Sequence, residues 1–175
     1  KALIGPDNLT SEKIVVNDIL EDSNGKTDHY IDNAVYSYTN GIWQTDETRY
    51  WTKTGTHYFT AFIEGQDLEF VQGSDRDSDG LSFDTATLDV QYQPDILYAF
   101  AERDMAGHEP SEPVVLDFIH VFSAIKINIT NVNRPSLKIT SYGFDRMVSK
   151  GKFTVTRGGG LDYDLNSVGE AYSQG

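Results

Sequence analysis

The residues most suggestive of chemistry are Asp75-Arg76-Asp77-Ser78-Asp79-Gly80. Carboxylates at the first, third and fifth positions of a loop can surround a hard cation, and a glycine at the sixth makes the turn, as in calcium loops. The twelfth position, where a bidentate Glu would stand, is Ala86, and Asp84 sits at the tenth instead. The candidate calcium ligands are therefore Asp75, Asp77, Asp79 and Asp84, with the Leu81 carbonyl and water completing the shell. The competing reading is a solvated acidic loop between strands, which needs only Asp, Ser and Gly turn chemistry. Calcium is the only cofactor the sequence raises.

Other candidates are sparser. His120 stands in phase with Leu116, Phe118 and Phe122, and no partner motif accompanies it. The expectation is a buried neutral histidine, hydrogen-bonded at a strand corner. His29, His57 and His108 are far apart and show no metal-ligand spacing. Tyr36, Tyr38, Trp43, Tyr50 and Trp51 are dense enough to stack on sugars, although core and cross-strand packing need the same residues. Nucleophile elbow, P-loop and dinucleotide fingerprint are absent. With 27 acidic residues, any pair chosen for glycoside hydrolysis is arbitrary. The expectation is a protein that is not an enzyme, with no catalytic residues.

Composition narrows the partners. The 175 residues carry 14 basic and 27 acidic side chains, a net charge of −13, which suits neither nucleic acid nor an anionic membrane surface. No apolar run approaches the roughly 20 residues that span a bilayer. Lys1–Pro6 is too short and weakly apolar for a secretion signal, so any such segment is expected to have been removed or never present. The absence of cysteine excludes zinc ribbons, iron–sulfur sites, thiol nucleophiles and disulfide frameworks.

The elements that would position these residues read as strands. Ten Tyr and nine Phe against two Met, with 15 Gly, is all-β composition. Lys13–Leu20 is the one candidate strand ahead of the Asp22-Ser23-Asn24-Gly25 turn, and Asn40-Gly41 is a hairpin turn. In Thr56–Glu64, His57, Phe59, Ala61 and Ile63 alternate with Tyr58, Thr60 and Phe62, so both faces are covered. Further short strands are expected at Thr48–Thr52, Gln66–Gln72, Thr85–Gln91, around Phe153 and Val155, and at Leu161–Leu165. Asp95–Asp104 fits strand slightly better than helix, and Gly158-Gly159-Gly160 reads as a flexible joint. Val114, Leu116, Phe118, His120 and Phe122 hold one phase, and Ile125, Ile127 and Ile129 hold the other. A straight strand would push one set into solvent, so a bulge or bend near Ser123-Ala124 is expected, with one strand serving two sheets of a sandwich.

Pro113-Val114-Val115-Leu116-Asp117-Phe118-Ile119-His120 resembles the V-x-L-x-F-x-H segment of fimbrillins, the subunits, including the Mfa-like branch, of type V pili of Gram-negative anaerobes. Tyr50-Trp51 with Thr56–Ile63, Asp95-Ile96-Leu97-Tyr98-Ala99, and Gly151-Lys152-Phe153-Thr154 follow in the family's order. The resemblance runs from Tyr36 to Thr156. It implies a transthyretin-like Greek-key β-sandwich, a single domain over residues 1–175 with its core at about 28–165 and polar ends at 1–12 and 166–175. That domain would be the N-terminal one of a two-domain fimbrillin. It also implies an exported, lipoprotein-derived, outer-membrane-associated subunit of surface fimbriae, assembling with other subunits by donor-strand exchange and touching host or bacterial surface ligands. The alternative is a carbohydrate-binding surface module on the same kind of sandwich.

Overall fold

The computed structural model describes residues 4–84, 95–107, 109, 112–122, 128, 130, 140–144, 151–163 and 172–174. Twelve strands are formed among them: β1 (Lys13–Glu21), β2 (Thr27–Thr39), β3 (Ile42–Gln44), β4 (Thr56–Ile63), β5 (Glu69–Val71), β6 (Gly80–Asp84), β7 (Leu97–Asp104), β8 (Ile119–His120), β9 (Tyr142–Phe144), β10 (Lys152–Thr156), β11 (Gly160–Tyr163) and β12 (Tyr172–Gln174). Among the described residues, helix is limited to short 3-10 turns at Leu9–Ser11 and Met105–Gly107. One sheet has the order β3-β2-β1-β4-β7-β8, a second β11-β10-β6-β5, and β12 pairs with β9, all antiparallel. With β4 returning beside β1, the run β3-β2-β1-β4 is a Greek key.

The large sheet is covered on both faces. Its inner face meets the four-stranded sheet, where Val15 and Phe62 pack on Leu81. Beside them Phe83 and Phe153 stack at 5.1 Å, with Phe122 edge-on to both. The outer face carries Ile14, Val16, Phe59, Ala61, Ile63, Leu97 and Ala99. Strands buried on both sides lose the alternation that marks a half-buried strand. That is why Ile14-Val15-Val16 shows no alternation, and β1 lies near the centre of the sheet and belongs to the same core as the strands after residue 28. Ile4, within the polar N-terminal stretch, is also buried in that core.

Register is set by turns and bulges. Asn40 and Gly41 take positive φ (54° and 87°), as a type I′ hairpin between β2 and β3 requires. In the β1–β2 ladder Val16 faces Ala34 while Asp18 faces Ile31, so an extra residue bulges from β2. Asn17 closes that bulge by accepting from the Asn33 amide at 2.9 Å, and Asn33 sits at φ 49°. A second irregularity follows, since Ile19 faces His29. Together they turn Tyr30 and Ile31 to the outer face.

Several expectations are corrected. Thr48–Thr52 is not a strand but a covering loop, whereas Asp95–Asp104 is strand as expected, with β7 beginning at Leu97. The three glycines are no joint: Gly158 and Gly159 turn the chain between β10 and β11, and a Cβ on Gly158 would lie 2.7 Å from Asp77 Cβ. In the V-x-L-x-F-x-H segment only Ile119–His120 pairs, with β7. Val114, Leu116 and Phe118 pack on the outer-face core, whereas Val121 and Phe122 join the core between the sheets. The chain thus changes layers over Ile119–Val121, and the bulge expected at Ser123-Ala124 falls outside the described residues. Thr85–Gln91 and Leu165 also fall outside them.

Candidate functional site

The outer face of the large sheet is not sealed. Its strands form the floor of a cleft of about 660 Å³, walled by Leu9 on one side, β3 and the loop that follows it to Trp51 on another, and Pro113–Phe118 on a third. The floor is Ile14, Val16, Asp18, Ile31, Tyr36 and Phe59. Size and apolar lining are those of a binding cavity, which typically spans roughly 300–1,000 Å³ and holds few polar groups.

Those few polar groups are specific. Asp18 is 1% exposed and His57 0%. His57 Nδ1 donates to Asp18 Oδ2 at 2.6 Å, and its Nε2 lies 2.8 Å from Thr52 Oγ1. Tyr30 and Trp51 meet the imidazole edge-on at 5.1 and 5.3 Å, and Phe59 stacks on it. The order Thr52–His57–Asp18 mimics a hydrolytic triad. Here, however, the imidazole is sealed and the threonine hydroxyl is 3.0 Å from the Thr54 carbonyl, so the arrangement pins the Thr52 loop to β1 and β4. One atom is left over. Asp18 Oδ1 is buried without a hydrogen-bond partner, as is Arg157 Nε elsewhere, among the described residues.

At the rim, Arg49 binds the Glu47 carboxylate and donates to the Tyr30 carbonyl at 3.3 Å, while the Tyr30 hydroxyl donates to the Tyr50 carbonyl. Arg103 stacks on Trp51 at 4.8 Å and pairs with Glu112. Burial pushes the Tyr36 phenol above its ordinary range; Arg49 opposes this and Asp18 adds to it. Ile42 and Tyr50 are exposed at the mouth. Along the third wall, no backbone hydrogen bond joins Val114–Asp117 to any described residue, and Val115 is 70% exposed.

The sequence-derived candidates distribute unevenly. Tyr36, Trp43, Tyr50 and Trp51 do converge on the cleft, and Tyr38 packs edge-on against Trp43 at its margin. Asp75 accepts from the amides of Asp77 and Ser78 and from the Ser78 hydroxyl. Asp79 accepts from the Gly73 amide, and Asp84 stands at the far end of β6 opposite Lys152. Among the described residues no group of three or more His, Asp or Glu is placed to hold a metal. His120 is hydrogen-bonded at the layer change, as expected, through Nδ1 to Asp95 Oδ1 at 2.7 Å. It is not buried, its side chain being 43% exposed, because the change of layers there carries it to the edge of the sheet. Asp95 Oδ2 also accepts from the Ile4 amide at 2.5 Å, tying the N-terminal segment to the sheet. The Asp18–His57 pair was missed. A charge inside an apolar strand (Ile14–Leu20) was its only signal, and nothing in the sequence linked it to a histidine in another strand.

A family model described as fimbrillin-like matches residues 6–167. No curated protein and no solved structure shows significant similarity. The match spans the Greek key, the cleft and the segment that changes layers, and through it the chain belongs to the fimbrillin-like family, whose members are structural subunits of cell-surface fimbriae.

Proposed function

We propose that the outer-face cleft is where a strand of a neighbouring subunit adds during fimbrial assembly. The observation that carries this reading is the pairing of two features. An apolar cleft lies open on a sheet, and along its wall runs an extended segment, Val114–Asp117, whose backbone groups have no partner among the described residues. An incoming strand would bond to such a wall through its main chain and fill the cleft with alternate side chains. Repeated head to tail, the contact does not close, and a filament results. On this reading the protein is a non-catalytic, exported subunit, lipoprotein-derived and associated with the outer membrane before assembly, and its partners are other fimbrial subunits.

The test is a charge at the cleft wall. Leu116 is half-buried and lines the cleft. Leu116→Asp is expected to leave a folded monomer but to abolish fimbriae, seen by electron microscopy of cells carrying the variant. Fimbriae of normal number and length would refute the assignment. The convergence of Tyr36, Trp43, Tyr50 and Trp51 favours, as a second reading, a sugar-binding module. Defined glycan binding by the isolated monomer on an array, lost in Trp43→Ala, would support it.

A further inference from the structure

We propose that the cleft selects its incoming strand by a basic side chain, a lysine flanked by apolar residues on the same strand face, whose ammonium bonds to Asp18 Oδ1. This rests on the strand-addition reading above and adds to it the chemistry of the partner. A carboxylate oxygen buried without a hydrogen bond is costly, so Asp18 gains from any donor that reaches it. Beside Asp18 the cleft is lined by Val16, Tyr30, Ile31, Trp51 and Phe59. A long methylene stem fits such walls, and a cationic tip fits both the carboxylate and the surrounding aromatic rings. Among the described residues, the two arginines near the cleft do not fill the role. Arg49 is held by Glu47 at the rim, and Arg103 lies against Trp51 and pairs with Glu112.

The two tryptophans of the chain, Trp43 and Trp51, both line the cleft, so their fluorescence reports occupancy. The intact protein is titrated with a short capped peptide of alternating valine and threonine carrying lysine at a central valine position. Two controls accompany it: norleucine in place of that lysine, and the lysine moved by one residue to the threonine face. The central-lysine peptide is expected to bind about tenfold or more tighter than either control. Asp18→Asn is expected to erase the difference; if that variant does not fold, the comparison on the unaltered protein stands alone. Equal binding of all peptides overturns the lysine preference and leaves strand addition intact. Equal binding of the two lysine peptides, both tighter than norleucine, would trace the preference to the net charge of −13 and overturns it too. Failure of every peptide to bind overturns the preference and counts against the strand-accepting cleft itself. Hexylamine binding as tightly as the lysine peptide would identify a small-amine site instead.

Discussion

Single residues in this protein hold charge inside a β core by different means. Asp18 leans on His57, whereas Asp79, 3% exposed, has the Gly73 amide and the Arg157 charge to offset its burial. Burial dominates at Asp79 and raises its carboxyl above the ordinary range, with the Gly73 amide, Arg157 and His29 working against it. The folded state then binds that proton more tightly than the unfolded chain, so Asp79 costs stability as pH rises from the unfolded value through the folded one. Asp79→Asn, which keeps the acceptor for Gly73, is expected to raise Tm at neutral pH, the gain shrinking to nothing as pH falls below about 4. Thermal melts across pH 3–8 check this (a range set by the carboxylate titration), and a gain independent of pH would contradict it. Asp22 and Asp75 run the other way. Amide donors at Asp22 and Ser78 donors at Asp75 lower their carboxyls, giving stability that is present above the unfolded value and lost as pH falls through the folded one. Since the oxygens of Asp75 are occupied by its own turn, millimolar calcium is expected to leave Tm unchanged. A clear rise would restore Asp75, Asp77, Asp79 and Asp84 as a cation site.

At the scale of elements, close approach and bulges decide what sequence pattern leaves open. A Cβ at Gly80 would stand 2.3 Å from the Val155 carbonyl oxygen, where β6 lies against β10. Backbone cannot yield as a side-chain tip can, so Gly80→Ala is expected to cost about 1–3 kcal/mol, read from denaturant melts, and a neutral result would contradict the registered pairing. Arg157 reaches from the β10–β11 turn to the Phe59 and Ala101 carbonyls of the other sheet, between the rings of Tyr58 and Phe100. Losing those charge-assisted bonds in Arg157→Ala is expected to cost about 2–3 kcal/mol. Hairpin turns and half-buried strands were legible in the sequence because Asn-Gly and period-two alternation report purely local geometry. The Thr48–Thr52 loop was misread because its aromatics serve the outer face without pairing. The layer change at Ile119–Val121 was foreseen in kind, and it is made by a chain that ceases to pair with the sheet. The cleft itself was not legible. It arises from β2 bulges that swing Tyr30 and Ile31 outward and from the covering loops, contacts between segments far apart in the chain.

For the whole molecule, a six-stranded sheet with cores on both faces divides the labour. The inner face, packed against the second sheet, supplies stability, while among the described residues the outer face is covered by loops and by a segment, Val114–Asp117, with no backbone partner. Family membership makes this a fimbrial subunit, and the proposed strand addition explains why one face of the sheet is left open. Copies each carrying −13 repel one another at low ionic strength, so assembly in vitro is expected to accelerate with salt up to about 0.15 M, where screening reaches roughly 8 Å. Assembly that slows over that range would point to salt-bridged contacts instead. The most direct measurement is a cryo-electron microscopy map of the assembled fimbria. The account predicts density for an extended segment of the adjacent subunit lying in the outer-face cleft alongside Val114–Asp117. A filament whose subunits meet elsewhere, with that cleft empty, would contradict it.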